Sequence, residues 1–295
     1  MTQLTSDMPV ESLRLGFIGA GRLGCALAWS LAQRGVSVHA VASRSESGAA
    51  ALAEPIEGCR ILMAQAVVDT CDLVFITTSD AGIAPVARSL RWRPGMGVVH
   101  CSGATEVDAL ASAAAAGALI GGFHPMQTFS DPAAAVRSLP GCMVTVEADP
   151  VLQAVLARLV ARLDCTVNVL PPGMRARYHA AGGYASQFVN VLLAEGARIW
   201  ASWGGDEEDA MRALLPLLKG TVSAIESAGL DKGMPGPVSR GDVGTVAGHV
   251  QALTEMDADA IALYRALCRR TVPLALRAER ISAATAQEIQ RVLDE

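Results

Sequence analysis

Four polar side chains have the types and positions that acid–base or anion-binding chemistry would need. His124 follows an apolar run and precedes Pro125, which holds the histidine backbone extended at the end of a predicted strand. Tyr178 and His179 lie at the start of a long helical segment, and Arg240 lies in a loop rich in proline and glycine. Histidine and tyrosine can donate a proton, and a positioned guanidinium can bind a carboxylate or phosphate. These residues are therefore predicted to bind a small, anionic substrate and to donate a proton to it.

Each assignment has a structural alternative that the sequence leaves open. His124 could bond a loop carbonyl instead of a substrate. Because Tyr178 and His179 are adjacent, their side chains point about 100° apart on a helix, so we expect only one of them to face a substrate. Arg240 could pair with Asp242, which is expected to cap the helix that follows.

A glycine-rich loop near the N-terminus indicates a second kind of chemistry. Gly19, Gly21 and Gly24 have the spacing G-x-G-x-x-G between a short apolar run and a helical pattern. The first glycine permits a tight strand-to-helix turn, the second lets the backbone approach a pyrophosphate, and the third lets the helix pack on the sheet. The predicted dinucleotide-binding residues of this loop are Gly19, Ala20, Gly21, Arg22, Leu23 and Gly24.

The residues after the second predicted strand indicate which dinucleotide binds. An NAD-binding protein usually places a carboxylate there to bind the ribose 2′-hydroxyl. This chain has Ser43, Arg44 and Ser45 at that position, and a guanidinium flanked by hydroxyls suits a 2′-phosphate. NADP is therefore predicted as the cofactor in preference to NAD, unless Arg44 is only a solvated surface side chain.

Alternating strands and helices in residues 1–170 would position these groups. Apolar runs predict strands at residues 13–18, 36–42, 72–77, 97–100, 118–123, 142–146 and 166–170. Helical segments between them predict an α/β fold with a Rossmann-type, doubly wound, mostly parallel sheet. Ligands of such folds bind beyond the carboxyl ends of the strands. This adds to the predicted cofactor-binding residues Thr77, Thr78, Ser79, Asp80, Ser102 and Gly103.

Residues 171–295 are predicted to be an all-α domain. The segment Pro171-Pro172-Gly173 breaks the strand–helix alternation, and no convincing strand follows it. Residues 174–203 are predicted to form one long apolar helix with a kink at Gly182 and Gly183. Since such a helix needs cover on several faces, we expect a homodimer through this domain.

Composition argues against several classes of protein. The net charge of −5 gives no basic surface for nucleic acid or an anionic membrane. We expect no signal peptide, and residues 109–123 are too short for a membrane span. Seven cysteines without a C-x-x-C pair suit a reducing, cytoplasmic setting. The five histidines show no ligand spacing, so no metal site is predicted.

Several longer motifs resemble those of a known protein group. They are His100-Cys101-Ser102-Gly103, Gly122-Phe123-His124-Pro125-Met126-Gln127-Thr128-Phe129, Tyr178-His179-Ala180-Ala181 and the segment 236–246. Together with the glycine loop they are similar to an uncharacterised family of NAD(P)-dependent oxidoreductases, which pair a Rossmann-like domain with a helical C-terminal domain of unknown function. Its wider relatives are 6-phosphogluconate dehydrogenase, pyrroline-carboxylate reductase and ketopantoate reductase.

This resemblance implies an N-terminal cofactor domain, a helical C-terminal domain that often dimerises, and a substrate cleft between them. This chain has Ala185-Ser186-Gln187 where the family is expected to have Ala-Ser-Asn, which leaves open the role of that asparagine in binding a ligand. The resulting prediction is an NADP-dependent oxidoreductase that transfers a hydride to or from a small anionic metabolite. The alternatives are a deazaflavin-linked NADP oxidoreductase and a non-catalytic NAD(P)-binding regulator or sensor.

Overall fold

An eight-stranded sheet organises the first part of the chain. The structure is a computed structural model and describes residues 3–295. The strands are β1 (Leu15–Ile18), β2 (Val38–Ala42), β3 (Arg60–Ile61), β4 (Leu73–Ile76), β5 (Gly97–His100), β6 (Leu119–Pro125), β7 (Met143–Ala148) and β8 (Thr166–Val169). Their order is β3-β2-β1-β4-β5-β6-β7-β8, with β6 and β7 antiparallel and the other neighbours parallel. The predicted doubly wound, mostly parallel sheet is therefore confirmed.

Helices connect the strands and cover the sheet. They are α1 (Arg22–Ala32), α2 (Glu46–Ala53), α3 (Ala64–Thr70), α4 (Asp80–Ser89), α5 (Ala111–Ala115), α6 (Pro132–Ser138), α7 (Pro150–Arg162) and α8 (Arg175–Tyr184), with short 3-10 turns at Val10–Ser12 and Val107–Leu110. The apolar pattern predicted the observed bounds of β5. It missed β3, whose two residues are both exposed, and α4, which contains Pro85.

The central strands β1, β4 and β5 are buried on both faces of the sheet. On one face Phe17 and Phe75, from adjacent strands, stack with ring centroids 5.1 Å apart, and Phe123 meets Phe75 edge-on at 5.5 Å. Because side chains alternate along a strand, Ile76 points to the opposite face, where it packs with Ile83 of α4 in a second buried cluster. With both faces covered, the loops at the carboxyl ends of the parallel strands are left to carry polar groups.

The chain divides into two compact units, Met1–Ser186 and Gln187–Glu295. The sequence placed the boundary after residue 170, whereas α8 belongs with the sheet because Arg175 bonds Glu147 of β7 and the carbonyl of Ser102. The predicted single helix over residues 174–203 is wrong. A break at residues 185–186 separates α8 from the next helix, and two glycines of low helix propensity, Gly182 and Gly183, lie in the last turn of α8 before it.

The second unit is helical, as predicted. It contains α9 (Gln187–Ala201), α10 (Glu207–Lys232), α11 (Pro237–Arg240), α12 (Val243–Met256), α13 (Ala258–Arg277) and α14 (Ala283–Asp294). Val246 of α12 and Ile289 of α14 are fully buried in its core. Asp242 caps α12 by accepting a hydrogen bond from the Thr245 N–H at 3.0 Å, as predicted. Among residues 3–295, the helices all lack the length or the apolar character needed to cross a bilayer.

Candidate functional site

The glycine loop lies at the carboxyl end of β1, where it meets the end of β4. Gly19 has a φ of +111°, and a Cβ there would lie 2.7 Å from the Thr77 backbone carbonyl. A Cβ on Gly24 would lie 2.8 Å from the Gly19 carbonyl oxygen and 2.9 Å from Thr77 Oγ1. Thr77 Oγ1 donates to the Gly19 carbonyl at 2.6 Å. The loop therefore has room only for glycine at these two positions, and the Thr77 side chain supports the loop.

Gly21 differs from its two neighbours because space is open around it. It is exposed, and the nearest atom to a Cβ built on it is the Thr77 carbonyl oxygen at 3.9 Å. It is the N-cap of α1 and offers no side chain to the first N–H groups of the helix. An uncapped helix N-terminus with a bare backbone in front of it is a site where an anion can bind.

The segment after β2 leaves one charged group available. Ser45 Oγ accepts from the Gly48 N–H at 3.1 Å and caps α2, while Ser43 Oγ accepts from the Ser45 N–H at 3.3 Å. Arg44 between them is exposed, and no hydrogen bond or ion pair engages its guanidinium within residues 3–295. The two serines therefore shape the turn, and the Arg44 guanidinium stays exposed beside them.

The loop after β4 is less constrained. Thr78 is half-buried and donates to the Ser79 carbonyl at 3.3 Å. Ser79 and Asp80 are exposed at the start of α4. The Asp80 carboxylate is close enough to His124 to raise the pKa of that imidazole, although other groups outweigh it. These residues thus lie at the edge of the sheet that the sequence predicted.

The loop after β5 is held through every polar group of Ser102. Its N–H donates to His100 Nδ1 at 3.3 Å, and its carbonyl accepts from Arg175 Nη1 at 2.7 Å. Its Oγ accepts from the N–H groups of Ala104 and Thr105 at 3.2 and 2.9 Å. Such a loop is fixed before any ligand arrives, which is the condition for precise positioning of a neighbouring reactive group.

The two predicted histidines and the tyrosine come together beside this loop. The Tyr178 hydroxyl is 2.7 Å from His124 Nδ1, and the His124 and His179 ring centroids are 6.3 Å apart. A Cβ on Gly103 would lie 2.9 Å from His124 Nε2 and 2.7 Å from His179 Cδ2. Both rings of this adjacent pair on α8 therefore lie close to His124 of β6. That only one of them faces a substrate stays a prediction.

Burial keeps the His124–Tyr178 pair uncharged at neutral pH. It lowers the pKa of His124 to about 4, and the neighbouring His179 and Arg175 contribute to that decrease. Burial also raises the pKa of Tyr178, against the effect of a hydrogen bond with Thr145. The pair therefore shares one hydrogen between the Tyr178 oxygen and His124 Nδ1. The neutral imidazole can donate or accept at Nε2, depending on its tautomer.

The sequence did not predict the buried ion pair between Arg175 and Glu147, which lies beneath this site. Arg175 is fully buried, and its Nε donates to Glu147 Oε2 at 2.6 Å. Its guanidinium fills the space that a side chain on Gly122 would occupy. The available signal was Gly122 itself, since glycine inside a strand marks a close approach by another group.

Arg240 lies in the second unit. It is exposed at the end of α11, and it forms no ion pair with Asp242 or any other carboxylate of residues 3–295. Asp242 instead accepts hydrogen bonds from Thr245, which lowers the pKa of its carboxyl; Arg240 and His249 lower it more weakly. The alternative of a direct Arg240–Asp242 contact is therefore not what the structure shows, and the guanidinium is available to an anion.

Two family models match this chain. A Rossmann-like domain matches residues 1–125, and a domain of unknown function, DUF2520, matches residues 142–271. No curated protein matches the sequence.

Solved structures share the fold over nearly the whole chain. A candidate NADP oxidoreductase from Bacteroides fragilis is 24% identical, with 90% of this chain and 100% of that chain covered and a TM-score of 0.69. A protein from Thermotoga maritima is 22% identical over the same shares, with a TM-score of 0.73. A pyrroline carboxylate reductase from Plasmodium falciparum, solved with NADP bound, is 12% identical over 96% of this chain and 99% of that chain, with a TM-score of 0.60. The chain therefore matches a Rossmann-like domain in its first part and a domain of unknown function in its second part, the combination that its motifs predicted.

Proposed function

We propose that this protein is an NADP-dependent oxidoreductase acting on a C=O or C=N group, or on the corresponding alcohol or amine, of a small anionic metabolite. The observation that carries the proposal is the placement of two features at the carboxyl ends of the parallel strands. The glycine loop follows β1, and the His124–Tyr178 pair lies at the end of β6. A neighbour of the same fold, the pyrroline carboxylate reductase, was solved with NADP, which supports the choice of cofactor.

The residues present fit a dinucleotide with a 2′-phosphate. Gly21 and the start of α1 would hold the pyrophosphate, because Gly21 has no side chain and no side chain caps the first N–H groups of the helix. Arg44 would hold the 2′-phosphate, since its guanidinium is exposed and without a partner among residues 3–295. When bound, NADPH supplies the hydride.

His124 and Tyr178 would donate the proton that the substrate gains together with the hydride. Because both groups are neutral near pH 7, the pair can present an N–H or O–H donor to a carbonyl oxygen or imine nitrogen. As Nε2 gives its proton to the substrate, Nδ1 can take the proton of Tyr178, so that the imidazole stays neutral in its other tautomer and solvent then reprotonates the Tyr178 oxygen. In the second unit, Arg240 is the candidate for binding the anionic group of the substrate.

Arg44→Ala is expected to weaken NADPH binding by about tenfold to a hundredfold, because it removes a charge-assisted contact to the 2′-phosphate. NADH lacks that phosphate, so its dissociation constant should not change. The measurement is a titration of both cofactors by fluorescence. Arg88→Ala is the matched control, since Arg88 is an exposed arginine in the last turn of α4. Tighter binding of NADH than of NADPH by the native chain would contradict the proposal.

Turnover distinguishes the enzyme from the alternatives. We expect NADPH oxidation with at least one compound in a panel of small 2-oxo acids and carboxylated cyclic imines. Arg240→Gln should raise KM for that compound without changing NADPH affinity, because the guanidinium is proposed to bind substrate. A deazaflavin in the panel tests the linked alternative. Tight NADPH binding without oxidation by any of these compounds would favour a regulator and overturn the proposal.

The second unit is proposed to form a homodimer. Its helices α9 and α10 expose several large apolar side chains, including Val191 at 50%, Leu217 at 64% and Val222 at 48%. An apolar surface of this kind marks an interface, and the partner proposed from the chain itself is a second copy. The double variant Leu217→Glu with Val222→Glu is expected to sediment as a monomer at micromolar concentration, whereas Leu276→Glu on α13 should not. A native chain that sediments as a monomer would contradict the proposal.

A further inference from the structure

A row of three residues crosses the sheet below the candidate site. His100 of β5 pairs with Gly122 of β6, and Gly122 pairs with Glu147 of β7. Residues paired in this way share one face of a sheet. The middle position has no side chain, and the Arg175 guanidinium lies in the gap, where a Cβ on Gly122 would overlap Nη2.

Burying this charge is costly unless the protein compensates it. Arg175 has no exposed surface, and its charge is balanced by Glu147, whose side chain is 11% exposed. An ion pair taken out of water rarely adds net stability over apolar residues of the same volume. Nη2 also has no acceptor among residues 3–295. A role in stability alone therefore explains this arrangement poorly.

The third nitrogen of the guanidinium connects the ion pair to the site. Arg175 Nη1 donates to the Ser102 carbonyl at 2.7 Å, while His100 Nδ1 accepts from the Ser102 N–H. The next residue is Gly103, against which His124 and His179 pack closely enough that no Cβ would fit. A shift of the Ser102 carbonyl would therefore move the surface on which both histidine rings rest.

We propose that Arg175 is a positioning residue: held by Glu147 in the space left by Gly122, it fixes the Ser102–Gly103 loop against His124. The effect of Arg175 on catalysis rests on the proposed function. Its contacts with Glu147 and Ser102 are present in the structure without cofactor or substrate. The charged and titratable groups facing His124 are His179, Arg175 and Asp80, with Tyr178 bonded to its ring and His100 further along the row. Of these side chains, Arg175 is the one held by a carboxylate, that of Glu147.

Two variants test the proposal by different routes. Arg175→Met removes the guanidinium, and Gly122→Ala displaces it with a Cβ without replacing any charged residue. In both, the pKa of His124 is expected to rise by about one unit, because a nearby positive charge is lost or moved away. Amide exchange at Ala104 and Thr105 should accelerate at least tenfold, since their acceptor Ser102 is no longer fixed. Arg177→Met, an exposed arginine on the same helix, should change neither quantity.

The readouts are NMR titration of the histidine rings in the full chain, with His124→Gln to assign the signal, and amide exchange of the loop. Arg175→Lys separates charge from geometry. It should keep the pKa of His124 low yet accelerate loop exchange, because an ammonium cannot bond Glu147 and Ser102 in the same fork. This variant also decides the question if the other two do not fold.

A native-like His124 titration and native-like loop exchange in the folded Arg175→Met and Gly122→Ala variants would overturn the proposal, as would a fully protected loop in Arg175→Lys. Neither readout needs NADPH. If the native chain binds no NADPH but the variants show these changes in the His124 pKa and in loop exchange, the proposed function is contradicted and the positioning role of Arg175 is supported.

Discussion

Gly21→Ala is expected to leave the first unit folded and to weaken NADPH binding about a hundredfold. The structure gives the physical reason for both halves of this result. A Cβ at residue 21 meets only the Thr77 carbonyl oxygen at 3.9 Å, so the free protein accommodates it. The same Cβ would stand in front of the N–H groups that begin α1, where the pyrophosphate is proposed to approach.

The measurements are the melting temperature and the NADPH dissociation constant. Gly248→Ala is the control, because a Cβ there has no neighbour within 4 Å and lies on α12 of the second unit. Gly19→Ala should behave differently from Gly21→Ala, since its positive φ and the 2.7 Å approach to Thr77 make the change destabilise the fold. Unchanged NADPH affinity in Gly21→Ala would remove the glycine loop from the proposed cofactor site.

The sequence could predict the separate roles of the three glycines, of which Gly19 and Gly24 are confined and Gly21 is open. Their spacing and the flanking pattern indicate a tight turn, a close approach and a packed helix, and each role depends on local backbone geometry. Gly19 and Gly24 are confined by Thr77 as such a turn requires. A local signal also predicted the Asp242 cap of α12, because such a signal needs only residues within one turn.

The Arg175 arrangement could not be predicted from sequence because its partners are distant in the chain. Gly122 and Glu147 become neighbours only through the antiparallel pairing of β6 with β7, and the sequence gives no register for that pair. Thr77 illustrates the same limit. Its position at the end of a strand predicts a contact with the cofactor, which stays a prediction, while the structure shows that its hydroxyl donates to the Gly19 carbonyl. Position along the chain places a residue at the edge of the sheet, and only the packed structure shows what its side chain bonds.

The prediction with the greatest mechanistic consequence concerns the hydroxyl that bonds His124. Tyr178→Phe is expected to lower kcat/KM for NADPH oxidation by about a hundredfold to a thousandfold, because it removes the group that shares a proton with His124 Nδ1. NADPH affinity should stay within about twofold of the native value, since a missing hydroxyl at this site costs no phosphate contact. Tyr184→Phe makes the same change at the other end of α8 and is the matched control.

The pH profile gives an independent check on the same pair. An ordinary histidine titrates near 6.5, but the pKa of His124 is lowered to about 4, chiefly by burial. The neutral form therefore persists as the pH falls through 6.5, and protonation of His124 should reduce kcat/KM only as the pH approaches 4. An inflection near pH 6.5 that disappears in His124→Gln would show that the imidazole titrates as an exposed group. In that case the charged ring would be the acid, Tyr178 would have no proton to replenish, and Tyr178→Phe should retain nearly native turnover.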